Sequence, residues 1–310
     1  MAKQAVEECG KVKATRGNAH DYLGMTFRFK DGKVEMDMGE CIMNMLNEFP
    51  TKFKEIMENI TPAGVDLFSE DGSKKLNEEM RTIFHRTVAQ GLFVCKRARP
   101  DTQPTIAVLC TRVKAPGEKD WNKLVKLMKY LHSTKKDVLT LDAGKGVHNV
   151  EWSIDSAFGV HPDFKSHVGA TMKFKEGHGS VINLSAKQKL NTESSTVAEL
   201  VGVDHVLPLV LWVPLFLKEQ GYEVKENAVK QDNKSTMLLA KNGKTSSGKR
   251  TRAINVHHFC IADQIKRGNV STEYCPTDEM TSDYMSEGLQ GIKFRKFRHR
   301  IMGFNGEEPH

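Results

Sequence analysis

Cysteine is scarce and poorly placed for chemistry. The six thiols (Cys9, Cys41, Cys95, Cys110, Cys260 and Cys275) include no C-x-x-C pair and no zinc-ligand spacing. Such a pattern excludes a thiol–disulfide motif and reads as reduced thiols of an intracellular protein. The opening stretch, "MAKQAVEECGKVKATRG", lacks the apolar core of a signal peptide. An uninterrupted apolar run is missing too. Residues 200–217, "LVGVDHVLPLVLWVPLFL", come nearest, but they carry Asp204, His205, Pro208 and Pro214. An Asp at the bilayer centre costs about 2.5–3.5 kcal/mol. A buried core helix, kinked at its prolines, is therefore expected, with no membrane partner. Charge of one sign does not dominate: 46 Lys and Arg stand against 39 Asp and Glu, a net +7. That is moderate for a nucleic-acid binder, so where the charge sits matters more than its total.

What is present is a succession of clean periodicities. Residues 22–38 alternate, with Leu23, Met25, Phe27 and Phe29 on one face, Val34, Met36 and Met38 on the returning one, and Asp31-Gly32 as a two-residue hairpin turn. "MGECIMNML" (38–46) reads as helix core. Phe84, Val88 and Leu92 repeat at four, and Trp121, Leu124, Val125, Met128 and Leu131 mark an amphipathic helix. Lys123, Lys126 and Lys129 occupy that helix's other sides, either along a phosphate backbone or as a solvated face. The Gly-rich "LDAGKGVHN" (141–149) reads as a linker. Val150, Trp152 and Ile154 then alternate, which turns Asp155 to the opposite face. Two further strands, a long helix (194–219), a strand (222–231), a short helix, a helix near 253–267, a last strand and a final helix follow. Trp152 and Trp212 are expected in the core. The pattern predicts an α/β protein: an α+β half over 1–140, the linker, and a mixed five-stranded sheet with helices over 150–303, then a short tail (304–310).

Four carboxylates lie at element ends: Asp155 on the first strand after the linker, Glu199 early in the long helix, Asp232 after the fourth strand, and Asp283 at the last helical stretch. If the first and fourth strands are neighbours, Asp155 and Asp232 lie side by side, and a divalent cation relieves their repulsion. Ions held there can activate a water and stabilise the leaving oxygen of a phosphodiester. The alternative is a set of solvated turn or helix-capping acids.

The segments "IDSAFGVHPDFKSHVGATM", "SAKQKLNTESSTVAEL", "KQDNKSTMLLAKNGK" and "FCIADQIKRGNVSTEYCPTDEMTSDYM" resemble, in order, the RNase H domain of copia-type LTR retrotransposon polyproteins. Upstream, "DYLGMTF", "TPAG" and "FHRTVAQGLFVCKRARPDTQPTIAVLCTRVKAPGEKDWNKLVKLMKYLHST" look like the reverse transcriptase thumb and connection. The resemblance implies an RNase H-like fold over 150–303 and a metal-dependent ribonuclease that cuts the RNA of RNA–DNA hybrids by a two-metal-ion route. Asp155, Glu199, Asp232 and Asp283 would be its catalytic and metal-binding residues, with Mg²⁺, or Mn²⁺ in its place, as cofactor. It further implies the polymerase palm and other parts of the same polyprotein as partners, and a cytoplasmic virus-like particle for an active element. No Asp-Asp dipeptide occurs, so no palm turn is present and polymerisation by this chain alone is not expected. Val197, where the family has a Glu, and "SDYMSEG" around Asp283 depart from its pattern. These departures leave open a catalytically silent nucleic-acid-binding or structural remnant.

Two basic clusters frame the expected site. Lys241, Lys244, Lys249, Arg250 and Arg252 lie in a Gly/Ser-rich loop, and "KFRKFRHR" (293–300) is either a second phosphate grip or an amphipathic helix burying Phe294, Phe297 and Ile301. Gln188 and Asn233 are candidates for polar contacts to the nucleic acid, where the ribose 2′-hydroxyl must be read. His257 and His258 are candidates for proton transfer or for helix packing.

Overall fold

Asp31 and Gly32 both take positive φ (51° and 74°), as a tight type I′ turn requires. They reverse strand β2 (Met25–Lys30) into β3 (Lys33–Asp37). In this computed structural model, residues 14–58, 60–69, 72–242 and 260–309 are described. Strands β1 (Ala19–Tyr22) and β4 (Leu139–Asp142) complete an antiparallel sheet in the order β1-β2-β3-β4. Leu141 and Asp142, at the start of the expected linker, are thus strand residues paired with Val34 and Lys33.

Four helices accompany this sheet: α1 (Gly39–Glu48), α2 (Glu78–Cys95), α3 (Gln103–Cys110) and α4 (Glu118–Ser133). Ile42, Met45, Phe84, Val88, Leu124, Met128 and Leu131 share their core. Leu92 does not join it and is exposed. A repeat of four overshoots the 3.6-residue turn, so two such steps rotate the side chain by roughly 80°. Lys123 departs from the expected outward row, because its Nζ turns in to the Ser69 carbonyl at 2.6 Å.

The second sheet is mixed, with strand order β7-β6-β5-β8-β9. Its members are β5 (Asn149–Ala157), β6 (His167–Phe174), β7 (Ile182–Lys187), β8 (Glu226–Gln231) and β9 (Ser271–Tyr274). β5, β6 and β7 pair antiparallel, while β8 runs parallel to β5 and β9 parallel to β8. Helices α5 (Ser195–Glu219), α6 (Lys234–Asn242) and α7 (Cys260–Lys266) complete the core on one face, with Trp152, Ile154, Ala170, Leu200, Val203, Val206, Val229 and Ile261 in one cluster. The α/β class and the five-stranded mixed sheet are those expected.

Helix α5 is long and apolar enough to cross a membrane by composition, yet one of its faces packs on this sheet. It continues through Pro208 and Pro214. Trp212 was expected inside and is half exposed, stacked on Phe216 at 4.9 Å. An all-round apolar helix gives no period by which to tell its inner face from its outer one. Trp152 is fully buried, and its indole N–H donates to Asn227 Oδ1 at 3.2 Å.

Helices α8 (Asp283–Ser286) and α9 (Gly291–Met302) return to the opposite face and lock the halves together. Tyr130 of α4 packs with Tyr284, Phe294, Phe297 and Ile301. Beneath them Asp101 is fully buried and accepts Arg99 at 2.8 and 2.9 Å, Tyr130 Oη at 2.5 Å and Arg298 Nε at 3.2 Å. Tyr284 Oη donates to the Asp101 carbonyl at 2.8 Å. The amphipathic reading of 293–300 is the one observed.

Candidate metal centre

Ser153 and Asp155 share the face of β5 on which α8 and its leading residues sit: Ser153 Oγ meets Ser282 and Asp155 meets Ser286, with Asp155 two residues short of the strand's end. Its partner across the ladder is Gly169. A Cβ there would meet Ser282 O at 2.5 Å and Ser286 N at 2.6 Å. A glycine thus lets the α8 backbone settle on the sheet beside Asp155. Ser286 Oγ then donates to Asp155 Oδ2.

Glu199 comes from the second turn of α5, whose start is set by Ser194 accepting Val197 N at 3.3 Å. Val197 occupies the third helical position, where a Glu would reach back to close a capping box. That departure costs a cap contact and leaves the carboxylate of Glu199 in position. Glu199 Oε2 accepts Gln231 Nε2 at 2.6 Å.

Asp232 follows β8 directly, and because β8 runs parallel beside β5 it emerges next to Asp155. Its Oδ2 accepts Thr277 Oγ1 at 2.9 Å. The helix cap at this junction is its neighbour: Asn233 Oδ1 accepts Ser235 N at 3.0 Å and Thr236 N at 3.1 Å. One carboxylate oxygen each from Asp155, Glu199 and Asp232 lies within 4.8 Å of the others. Asp283 is outside that group of three. It is buried at the start of α8, and its Oδ2 accepts Lys293 Nζ at 2.6 Å.

The electrostatics of the group are those of unrelieved negative charge. Burial, then the charges of Asp155 and Asp232, push Glu199 up to about 10. Burial raises Asp155, with the Ser286 hydrogen bond opposing it and Asp232 adding to it. Asp283 is pushed up to about 7 by burial and by Asp155, against the pull of Lys293. Closely spaced hard oxygen donors that cannot all ionise without a cation are a fitting ligand set for Mg²⁺ or Mn²⁺.

The expected nucleic-acid contacts fare differently. Gln188 is buried, and its amide donates to Ser156 Oγ at 3.1 Å and Ala198 O at 2.9 Å, so it ties α5 to β5 and does not face a ligand. Asn233 spends its carbonyl oxygen on the α6 cap. Lys241 is exposed at the end of α6. Lys244, Lys249, Arg250, Arg252, His257 and His258 lie outside the described residues. In α9, Lys293, Lys296, Arg298 and Arg300 pair with Asp283, Glu279, Asp101 and Glu279 respectively, so these four charges are engaged within the fold. Ser286, Gln231, Thr277 and Lys293 were not foreseen as partners of the carboxylates. Gly169, a glycine inside an alternating strand, was the one local sign of a close approach.

Fold and site together define an α/β protein with a three-carboxylate cluster, two of its members buried and Asp232 partly exposed, on one face of a mixed sheet. Its relatives are transposon polyproteins. No protein-family model matches the chain. Over 293 residues, 90% of the chain, it is 26% identical to the retrovirus-related Pol polyprotein from transposon TNT 1-94 of Nicotiana tabacum. It is 25% identical over 218 residues, 70% of the chain, to that from transposon RE2 of Arabidopsis thaliana. To the transposon Ty1-BR Gag-Pol polyprotein of Saccharomyces cerevisiae it is 21% identical over 291 residues, 87% of the chain. The chain spans 15–21% of the length of these three relatives. Among solved structures, LC11-RNase H1 from compost aligns with 44% of this chain and 92% of its own at 13% identity and a TM-score of 0.34. The same enzyme in complex with an RNA/DNA hybrid aligns with 44% of this chain and 93% of its own at 13% identity and a TM-score of 0.32. Overlaps that loose carry no weight for function.

Proposed function

We propose that the chain is the ribonuclease H region of a copia-type retroelement polyprotein, a metal-dependent nuclease that cleaves the RNA strand of RNA–DNA hybrids. The observation that carries this reading is the convergence of Asp155, Glu199 and Asp232, three residues far apart in sequence, to within 4.8 Å. In this reading they would hold Mg²⁺ or Mn²⁺, which would supply Lewis acidity at the scissile phosphate and lower the pKa of a water so that it can attack as hydroxide. The chain's own work is positional. Ser286, Gln231 and Thr277 each donate to one carboxylate and keep it aimed at the shared centre. Lys241, with the basic residues that follow it in the sequence, holds phosphates without reading sequence. Other parts of the polyprotein, the palm among them, are the proposed partners, and a cytoplasmic virus-like particle is the proposed location.

The test is cleavage of a hybrid labelled on its RNA strand, with and without Mg²⁺, beside a double-stranded DNA control. Ion-dependent cuts in the hybrid alone, lost in Asp155→Asn, support the proposal. Hybrid binding without cleavage at any Mg²⁺ or Mn²⁺ concentration would favour the silent remnant.

A further inference from the structure

Asp283 is buried next to Asp155, yet it already has a cation. Lys293 Nζ lies 2.6 Å from Asp283 Oδ2, in an ion pair whose carboxylate is 5% exposed. The ammonium also sits over the ring of Phe297, one helical turn on, at 5.6 Å from its centroid, and that ring is fully buried. Helix α9, which carries Lys293, is pinned at both ends by the upstream half. At its start, Gln290 Nε2 donates to Ala63 O at 2.8 Å and Gln290 Oε1 accepts Thr61 Oγ1 at 2.9 Å. Toward its end, Arg298 is held by Asp101 at 3.2 Å. A lysine placed this way is a built part of the site's edge.

We propose that Lys293 is the resident counter-charge of Asp283, standing where a second divalent ion would otherwise be drawn. The site then holds one ion, on Asp155, Glu199 and Asp232. This rests on the nuclease reading and departs from the two-ion route that the sequence resemblance implies. A compact, threefold-donating ammonium satisfies one carboxylate oxygen and leaves that carboxylate a poor competitor for Mg²⁺. It also keeps a positive charge at the edge of the site, where negative charge develops on a phosphate under attack. Lys293 is thereby a positioning residue fixed by the upstream half, which gives that half a part in the site although none of the three converging carboxylates comes from it.

Counting ions tests this without reference to activity. Mn²⁺ is titrated into the full chain and the free ion is followed by electron paramagnetic resonance. The expected result is one ion per wild-type chain, lost in Asp155→Asn. Lys293→Met and Lys293→Gln should each bind two, the second disappearing when Asp283→Asn is added, while Lys293→Arg should stay at one. Two neutral variants guard against a local folding defect, and circular dichroism melts verify that both fold. Two ions in the wild type, the second lost in Asp283→Asn, would overturn the role of Lys293 while leaving a metal nuclease standing. One ion in both neutral variants would overturn it equally. Absence of any ion sensitive to Asp155→Asn would remove the nuclease reading and this inference together.

Discussion

Asp101 and Glu199 are both buried carboxylates, and their surroundings drive them in opposite directions. Two guanidinium groups, those of Arg99 and Arg298, hold Asp101 far below the usual carboxylate range in spite of its burial. Glu199, by its burial and then by the charges of Asp155 and Asp232, is driven up to about 10. Burial pushes both upward; at Glu199 the neighbouring charges add to that push, and at Asp101 they reverse it. At the junction of the halves, the charges close on one another and make the two sheets one structure. At the cluster, the fold leaves a deficit of positive charge, and such a deficit marks a place built for something outside the chain.

The largest effect should come from the cluster. Asp155→Asn is expected to remove several kcal/mol of transition-state stabilisation, roughly a thousandfold in cleavage rate. The same change should leave the chelator-treated protein as stable as wild type or more so, because it removes one of the facing like charges. A melting temperature in chelator well below wild type would break the comparison.

The mirror experiment is Asp101→Asn. It removes the buried negative charge that Arg99 and Arg298 share, while Arg99 keeps Thr134 and Arg298 keeps Asp137 as acceptors. The expected loss is about 3–5 kcal/mol, with both sheets unfolding together in urea. A separate early transition of one half would show that the junction does not couple them. Ion stoichiometry of the folded fraction should be unchanged.

Ser286→Ala is next. It removes the donor to Asp155 Oδ2 and is expected to weaken Mn²⁺ binding about 10- to 100-fold, read by calorimetry. Unaltered affinity would mean that the strand alone aims Asp155.

Stability against pH separates the two regions by sign. Glu199 moves from 4.5 unfolded to about 10 folded, so between these values the native state holds the extra proton. Its contribution is complete below 4.5 and is lost as pH rises, by at most about 1.4 kcal/mol per pH unit. Asp101 is lowered from 3.8, so its contribution is present above 3.8 and is lost as pH falls through the folded value. In chelator, Glu199→Gln should therefore flatten the alkaline limb of a melting-temperature profile, and Asp101→Asn the limb below pH 4. Added Mn²⁺ should flatten the alkaline limb of the wild type only. Profiles of both variants parallel to wild type would show that neither group carries these shifts.

The smallest effect concerns the exposed Lys241. If it touches one phosphate, Lys241→Ala should reduce the log–log salt slope of hybrid binding by roughly 0.7–0.9. An unchanged slope would take α6 out of the interface.

Much of this was legible along the chain. Alternation alone turned Asp155 away from Val150, Trp152 and Ile154, and the Asp31-Gly32 pair announced its hairpin, because both signals are settled by backbone geometry within a few residues. The amphipathic stripe of α4 was legible for the same reason, whereas the spacing of Phe294, Phe297 and Ile301 offered a core face beside a phosphate grip, and packing against Tyr130 and Tyr284 decided for the core. What periodicity reports is the face a residue takes, and it is silent on what that face meets. Gln188 read as a polar contact and turned out to be the buried tie between α5 and β5. Trp212 read as core and lies outside, on a helix apolar all round. The run 293–300 showed a surplus of positive charge, yet its acids, Asp101, Glu279 and Asp283, are supplied by other segments. Whether Asp283 is free to take an ion is decided by Lys293, and Lys293 is held there by a helix docked on Ala63 and Asp101. Order along the chain determined which carboxylates could meet. Only the packing of one half against the other decided which of them would meet without a cation of its own, since charge pairing acts through space between residues that no local pattern joins.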